Sequence, residues 1–166
     1  MPEIPKTYDV VVIGHARENR KEVIKKLSEF NLGLYGDGWE NGLGKVQGEA
    51  HTKAINSGKI YLSFAETVAG YNNVKVGLFE AMACNTFVIT RYMDELNNYF
   101  KIGKEVVCYH NEDELVNLIK YYLSHEEERE QIRQASYKRF LQEHTYHKRA
   151  EKILDDIINF NKECLL

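Results

Sequence analysis

Apolar residues along this chain fall into two rhythms. The first is a set of short, nearly unbroken runs: residues 8–14 (YDVVVIG), 32–35 (LGLY), 59–64 (KIYLSF), 87–89 (FVI) and 105–109 (EVVCY). Runs of this length, rich in β-branched and aromatic residues and ended by turn residues, predict strands buried on both faces, as in a parallel sheet. The second rhythm has helical spacing. Val23, Ile24, Leu27 and Phe30 predict a helix over 20–30, and a shorter one over 51–57 ends at the stop signal Gly58. Within the stretch 74–90, Leu78, Ala81 and Met82 share one side of a helix that closes at Cys84 and Asn85 before the fourth strand.

Beyond residue 109 the pattern turns wholly helical. Asn111 and Glu114 have capping-box spacing ahead of Leu115, Leu118, Ile119, Tyr122 and Leu123. Ser124 and Glu127 repeat that spacing before Ile132, Ala135 and Phe140, and a last helix carries Tyr146, Ala150, Ile153, Leu154, Ile157 and Ile158. Strands alternating with helices predict an α/β fold: a Rossmann-like, doubly wound parallel sheet of about five to six strands, followed by C-terminal helices. Both prolines lie in the first five residues, so no internal linker is evident, and the 166 residues are expected to form a single domain.

Composition narrows the function classes. With 43% hydrophobic and 28% charged residues and a net charge of −3, the chain reads as globular, with no electrostatic case for nucleic acid as its main ligand. The three cysteines, Cys84, Cys108 and Cys164, are odd in number and widely spaced, which argues for a reducing compartment. No signal-peptide layout opens the chain, and nothing approaches the roughly 18 apolar residues of a membrane span. A cytoplasmic location is expected.

Ligands of open parallel sheets bind beyond the carboxyl ends of the strands, where strand order reverses. Loops 14–19, 36–39 and 64–73 should meet there. The first brings Arg17 and Arg20 to a helix start, and the third leads into the helix bearing Lys75 and Glu80. Helix N-termini offer unpaired N–H groups and roughly half a positive charge, so this edge would suit a diphosphate. A carboxylate one to two turns further along, Glu80, would suit the hydroxyls of a ribose. In the bland reading Glu80 is half of a structural ion pair. Neither G-x-G-x-x-G nor the P-loop pattern occurs.

Several of these segments together resemble a known family: the spacing Gly14, Arg20, Leu27, then LYGDGW (34–39), GLFEAMACNTFVIT (77–90), the Asp113-Glu114-Leu115 triplet, and HTY with Arg149. They are similar to the C-terminal, donor-nucleotide half of GT-B glycosyltransferases, specifically the CgeB-type "glycosyl transferases group 1" family, over about residues 10–154. The resemblance implies that Glu80 binds the ribose of a nucleotide-sugar donor and that Arg20 contacts its diphosphate. Gly14 and His15 would form the turn beneath the phosphates, with Arg17 beside them. Asp37 and Trp39 would approach the nucleobase, and Val74, Lys75 and Val76 would offer backbone N–H groups. Asn72 stands where related retaining enzymes carry a second carboxylate, next to Asn73, and Gly77 stands where many relatives have arginine. The mechanism so implied needs no metal and no cofactor. The acceptor and any catalytic base would lie on a separate N-terminal domain, and the catalytic residues are not identified.

Blander readings stand beside these. Trp39 could plug the sheet edge, Lys75 could be a surface lysine and His15 a simple loop residue. His144 and His147 fit a helix junction better than a metal site, Cys84 and Cys108 read as small buried hydrophobes, and residues 126–130 (EEERE) read as a solvated helix face. Tyr121 and Tyr122 are expected to be core and rim of one helix. Part of Ile153, Ile157, Ile158 and Phe160 is expected to be exposed, or covered by another domain or a second copy. A non-catalytic nucleotide-binding module of the same fold is the alternative function. A receiver-like module lacks its acids, because Gly14-His15-Ala16 follows the first strand.

Overall fold

In a computed structural model that describes residues 4–163, the apolar runs become one five-stranded, fully parallel sheet. Its strands are β1 (Tyr8–Ile13), β2 (Leu32–Tyr35), β3 (Gly58–Ser63), β4 (Phe87–Arg91) and β5 (Val107–Tyr109). Their order across the sheet is β2-β1-β3-β4-β5, so the chain reverses its direction of winding between β1 and β3. Register aligns Ile13 with Tyr35 and Ser63 with Thr90, which brings the carboxyl ends, and the loops leaving them, to one edge.

Both faces are covered, and successive residues serve opposite layers as the pleat requires. Val10, Val12, Ile60, Leu62, Phe87, Ile89, Val107 and Tyr109 face one layer, built with Val23 of α1 (Glu18–Lys26), its cap residue Leu27, and Leu115 and Ile119 of α4 (Glu112–Ser124). Val11, Tyr61, Val88 and Cys108 face the other, with Ile55 of α2 (Glu49–Asn56) and Leu78, Ala81 and Met82 of α3 (Val76–Ala83). Each such side chain contributes about 1.5–3 kcal/mol on leaving water, which explains why alternation is invisible in a sequence whose strands need both faces apolar.

Several boundaries differ from expectation for local reasons. α1 begins two residues early and stops at Lys26, since Leu27 already leaves helical geometry to cap it. Gly58 opens β3 rather than stopping a helix. A 3₁₀ turn, Asp94–Asn98, buries Leu96 beneath the sheet edge. Asn111 caps α4, accepting from the Glu114 N–H at 2.9 Å, but the Glu114 carboxylate returns to the His110 N–H at 2.7 Å, one residue further out than a capping box. Ser124 caps nothing ahead of it. Its hydroxyl turns back to the carbonyls of Lys120 and Tyr121.

The following helix α5 (Glu126–Arg139) is not merely a solvated face. Arg129 is buried, donating to the Tyr122 carbonyl at 2.7 Å and pairing with Glu126 at 3.0 Å. The pair divides between core and rim with Tyr122 as the buried member and Tyr121 the exposed one, because Tyr122 shares the helix face of Leu115 and Ile119. A π-helical turn, Phe140–His144, then redirects the chain into α6 (Tyr146–Glu163). His144 sits in that joint, its Nε2 3.2 Å from the Tyr99 carbonyl, and the Arg149 guanidinium lies 4.3 Å over the Phe79 ring. The apolar stripe of α6 (Ile153, Leu154, Ile157, Ile158 and Phe160) is at least half exposed. Cys84 is half-buried and Cys108 buried, while Cys164 lies outside the described residues. No described helix is long and apolar enough to cross a membrane.

Candidate functional site

A cleft of about 300 Å³ opens at the switch point between β1 and β3. Its walls are the loop leaving β1, the end of β3, one side chain from α2 and the first turns of α3. The β1 loop is shaped by backbone crowding. Gly36, after β2, has φ +118°, and a Cβ there would lie 2.3 Å from the Gly14 carbonyl oxygen, so only glycine lets the two loops meet. The Trp39 indole N–H donates to that same carbonyl at 2.8 Å, and its ring is buried against the α1/α4 layer. Asp37 is engaged by Lys45 at 2.7 Å and lies 3.6 Å from His15 Nδ1, and the Lys45 bond holds its carboxyl below the ordinary range.

Arg17, Arg20 and Lys75 line the cleft together. Among the described residues none of the three has a carboxylate within 4.0 Å. Arg20 lies across the loop, donating from Nη1 to the His15 carbonyl at 3.1 Å and stacking 5.2 Å from the Phe64 centroid, while its buried Nε has no partner. Burial, and then Arg17, lowers its pKa from the ordinary value. Lys75 is the N-cap residue of α3, whose first turn has no side-chain cap. Its pKa is lowered by burial first and then by Arg20 and Arg17. Arg17 thus disfavours the charge on Arg20, both arginines disfavour that on Lys75, and beside uncapped helix N–H groups they make a rim that an anion would relieve.

Glu80 lies in the same cleft, one turn into α3, half-exposed and 3.9 Å from His51 Nε2. No arginine holds it in the interior. Gly14, His15, Arg17, Arg20, Lys75 and Glu80 thus share one cavity, with Asp37 and Trp39 behind its first loop. Asn72, Asn73 and Val74 are not part of its wall. Asn72 bridges to Glu66, Asn73 donates its N–H to the Ala65 carbonyl at 3.1 Å, and Val74 packs on the α2/α3 layer. Asn73 Oδ1 is buried without a partner.

Three wall residues, His51, Tyr61 and Phe64, carry no sequence signal for a site: the first lies in a short amphipathic helix and the others in a strand whose pattern reads as core. A second cleft, of about 220 Å³, lies beyond Arg20 and Phe64. Its charges are largely matched internally, with Glu112 near both Lys26 (3.8 Å) and Arg91 (3.6 Å) and Asn19 bonded to Glu66. Among the described residues no group of three or more His, Cys, Asp or Glu side chains is arranged to hold a metal ion.

Fold and site together define a doubly wound, parallel α/β protein with a cation-lined cleft at its switch point, and comparison with known proteins gives the family. Residues 17–155 match the family described as glycosyl transferase-like, and the chain belongs to that family. Its fold is similar to that of sucrose-phosphate synthase (tll1590) from Thermosynechococcus elongatus, at TM-score 0.71 and 15% identity over 96% of this chain and 47% of that one. Alr3699/HepE from Anabaena, solved with UDP and glucose, gives TM-score 0.73 and 14% identity over 92% and 49%. The pneumococcal O-GlcNAc transferase GtfA, solved with UDP and GlcNAc, gives 0.58 and 16% over 99% and 37%. This chain therefore spans about half, or less, of the length of these structures. Among curated proteins none matches the sequence.

Proposed function

We propose that this chain is the donor-binding part of a glycosyltransferase, holding a nucleotide sugar whose sugar passes to an acceptor bound elsewhere. The observation that carries this reading is the unpaired cation group Arg17, Arg20 and Lys75 at the uncapped start of α3, with Glu80 one turn further along the same cleft. The cations and the N–H groups of 74–76 take the diphosphate, and Glu80 accepts from the ribose. Gly14 and His15 floor the phosphate site, and Asp37 and Trp39 stand on the nucleobase side. As the bond from the anomeric carbon to the diphosphate breaks, its electron pair moves onto phosphate oxygen. Charge fixed in advance stabilises that leaving group more in the transition state than in the ground state. No metal is required for that stabilisation.

The position proposed for the chain is the C-terminal half of a GT-B enzyme of the CgeB type, working in the cytoplasm. Structures of the fold that run to twice this length support it, as does the exposed apolar stripe of α6, which the other half of the enzyme would cover. Calorimetric titration with UDP-, GDP-, ADP- and dTDP-sugars tests the reading. Binding of one of them, weakened by about 1–3 kcal/mol in Glu80→Gln, is expected. Absence of binding to all four, or unchanged affinity in Glu80→Gln, would overturn the donor site. Donor binding without transfer, when the chain is supplied within its natural full-length protein, would favour the non-catalytic module.

A further inference from the structure

Beneath the cleft lies a polar atom that the donor-binding arrangement leaves unused. Tyr61, on β3, is 4% exposed, its ring packed in the α2/α3 layer, yet the residue forms part of the cleft wall. Its hydroxyl has no hydrogen-bond partner among the described residues. What keeps it open to the cleft is Gly77. A Cβ placed on Gly77 would lie 3.0 Å from the Tyr61 hydroxyl and 3.9 Å from Glu80 Oε2. Both polar groups therefore approach one point, and any larger residue at 77 would fill the space between them. His51 Nε2 lies 3.9 Å from that same Glu80 oxygen.

The two groups are chemically complementary. Burial, reinforced by the Glu80 charge, raises the Tyr61 pKa, so the phenol keeps its proton and donates, whereas an ionised Glu80 only accepts. A ligand group between them has to accept from one side and donate to the other, and a hydroxyl does both. Resting on the donor-site reading above, we infer that Tyr61 is a specificity residue. Its hydroxyl donates to the oxygen of one ribose hydroxyl whose proton is given to Glu80, and Gly77 is the gap through which they meet. The site so built selects ribonucleotides over the matching deoxynucleotides, because losing that hydroxyl strands two polar groups at once.

The test uses the 166-residue chain with UDP, GDP and ADP, the tightest being carried forward with its 2′-deoxy and 3′-deoxy forms. Tyr61→Phe keeps the ring and removes only the oxygen. It is expected to bind the ribonucleotide about tenfold more weakly at an unchanged melting temperature, and to lose that penalty against one of the two deoxy forms. Gly77→Ala, which closes the gap, should weaken binding similarly, and adding Tyr61→Phe to it should cost little more. Wild-type binding with an unaffected Tyr61→Phe, or a Tyr61→Phe penalty equal for all three sugars, would overturn the role of Tyr61 while leaving the donor site standing. Failure of every nucleotide to bind the wild type would overturn both.

Discussion

Lys75 shows what the cleft asks of a single residue. It stands at a helix start, where the macrodipole already disfavours a cation, and it faces Arg17 and Arg20 without a carboxylate to offset them. Such a residue is a cost to the folded chain and a gain to an anionic ligand. Lys75→Met is therefore expected to weaken nucleoside diphosphate binding by about 1 kcal/mol without lowering the melting temperature. Calorimetry and a thermal melt on the same preparation check both halves, and a lower melting point would mean that the lysine is structural. Trp39 is the opposite case. Its ring is buried and its N–H is committed to the Gly14 carbonyl, so Trp39→Phe is expected to lower the unfolding free energy by about 1–2 kcal/mol, read from the denaturant midpoint.

Single elements differ in how far local sequence could announce them. α4 is legible because its cap and its stripe are local: Asn111 and Glu114 lie three apart, and Leu115, Ile119 and Tyr122 recur on one face. Asn111→Ala should cost about 1 kcal/mol in chemical denaturation, and a neutral result would mean that packing alone sets that start. The end of α3 was likewise legible in Asn85, whose φ of +55° is the left-handed turn that asparagine tolerates. Ser124 and Arg129 were not. Whether a serine caps forward or bonds backward depends on the angle at which two helices join, and the burial of Arg129 depends on the Tyr122 carbonyl across that joint. In the site the same division holds. Arg17, Arg20, Lys75 and Glu80 flank predictable strand–helix junctions, so their convergence followed from the parallel topology. His51 and Tyr61 reach the cleft from the body of a helix and a strand, where periodicity marks depth but not which atoms open to solvent.

On the scale of the whole molecule, the α3 side of the sheet is closed by an aromatic cluster with an ionisable group inside it. His144, in the π turn joining α5 to α6, lies against Phe79, Tyr99 and Phe100, with ring centroids 5.2, 6.0 and 4.9 Å away. Its Nε2–H donates to the Tyr99 carbonyl in the neutral tautomer that burial favours. Burial lowers its pKa from 6.5. The Tyr99 bond opposes that shift without reversing it, and Arg149 and Arg139 add to it. Because the unfolded chain takes up the proton first, stability is complete above about pH 6.5 and falls as pH drops towards the lower folded-state value. The loss should concentrate where α6 meets the rest of the chain, since the charge appears between Phe79, on which Arg149 of α6 rests, and the Tyr99 loop. Urea midpoints between about pH 7.5 and pH 5 are expected to decline more steeply for the wild type than for His144→Gln, which cannot titrate there. Parallel curves for the two proteins would show that the acid sensitivity arises from carboxylates elsewhere, whereas convergence at low pH would locate it in the joint between α5 and α6.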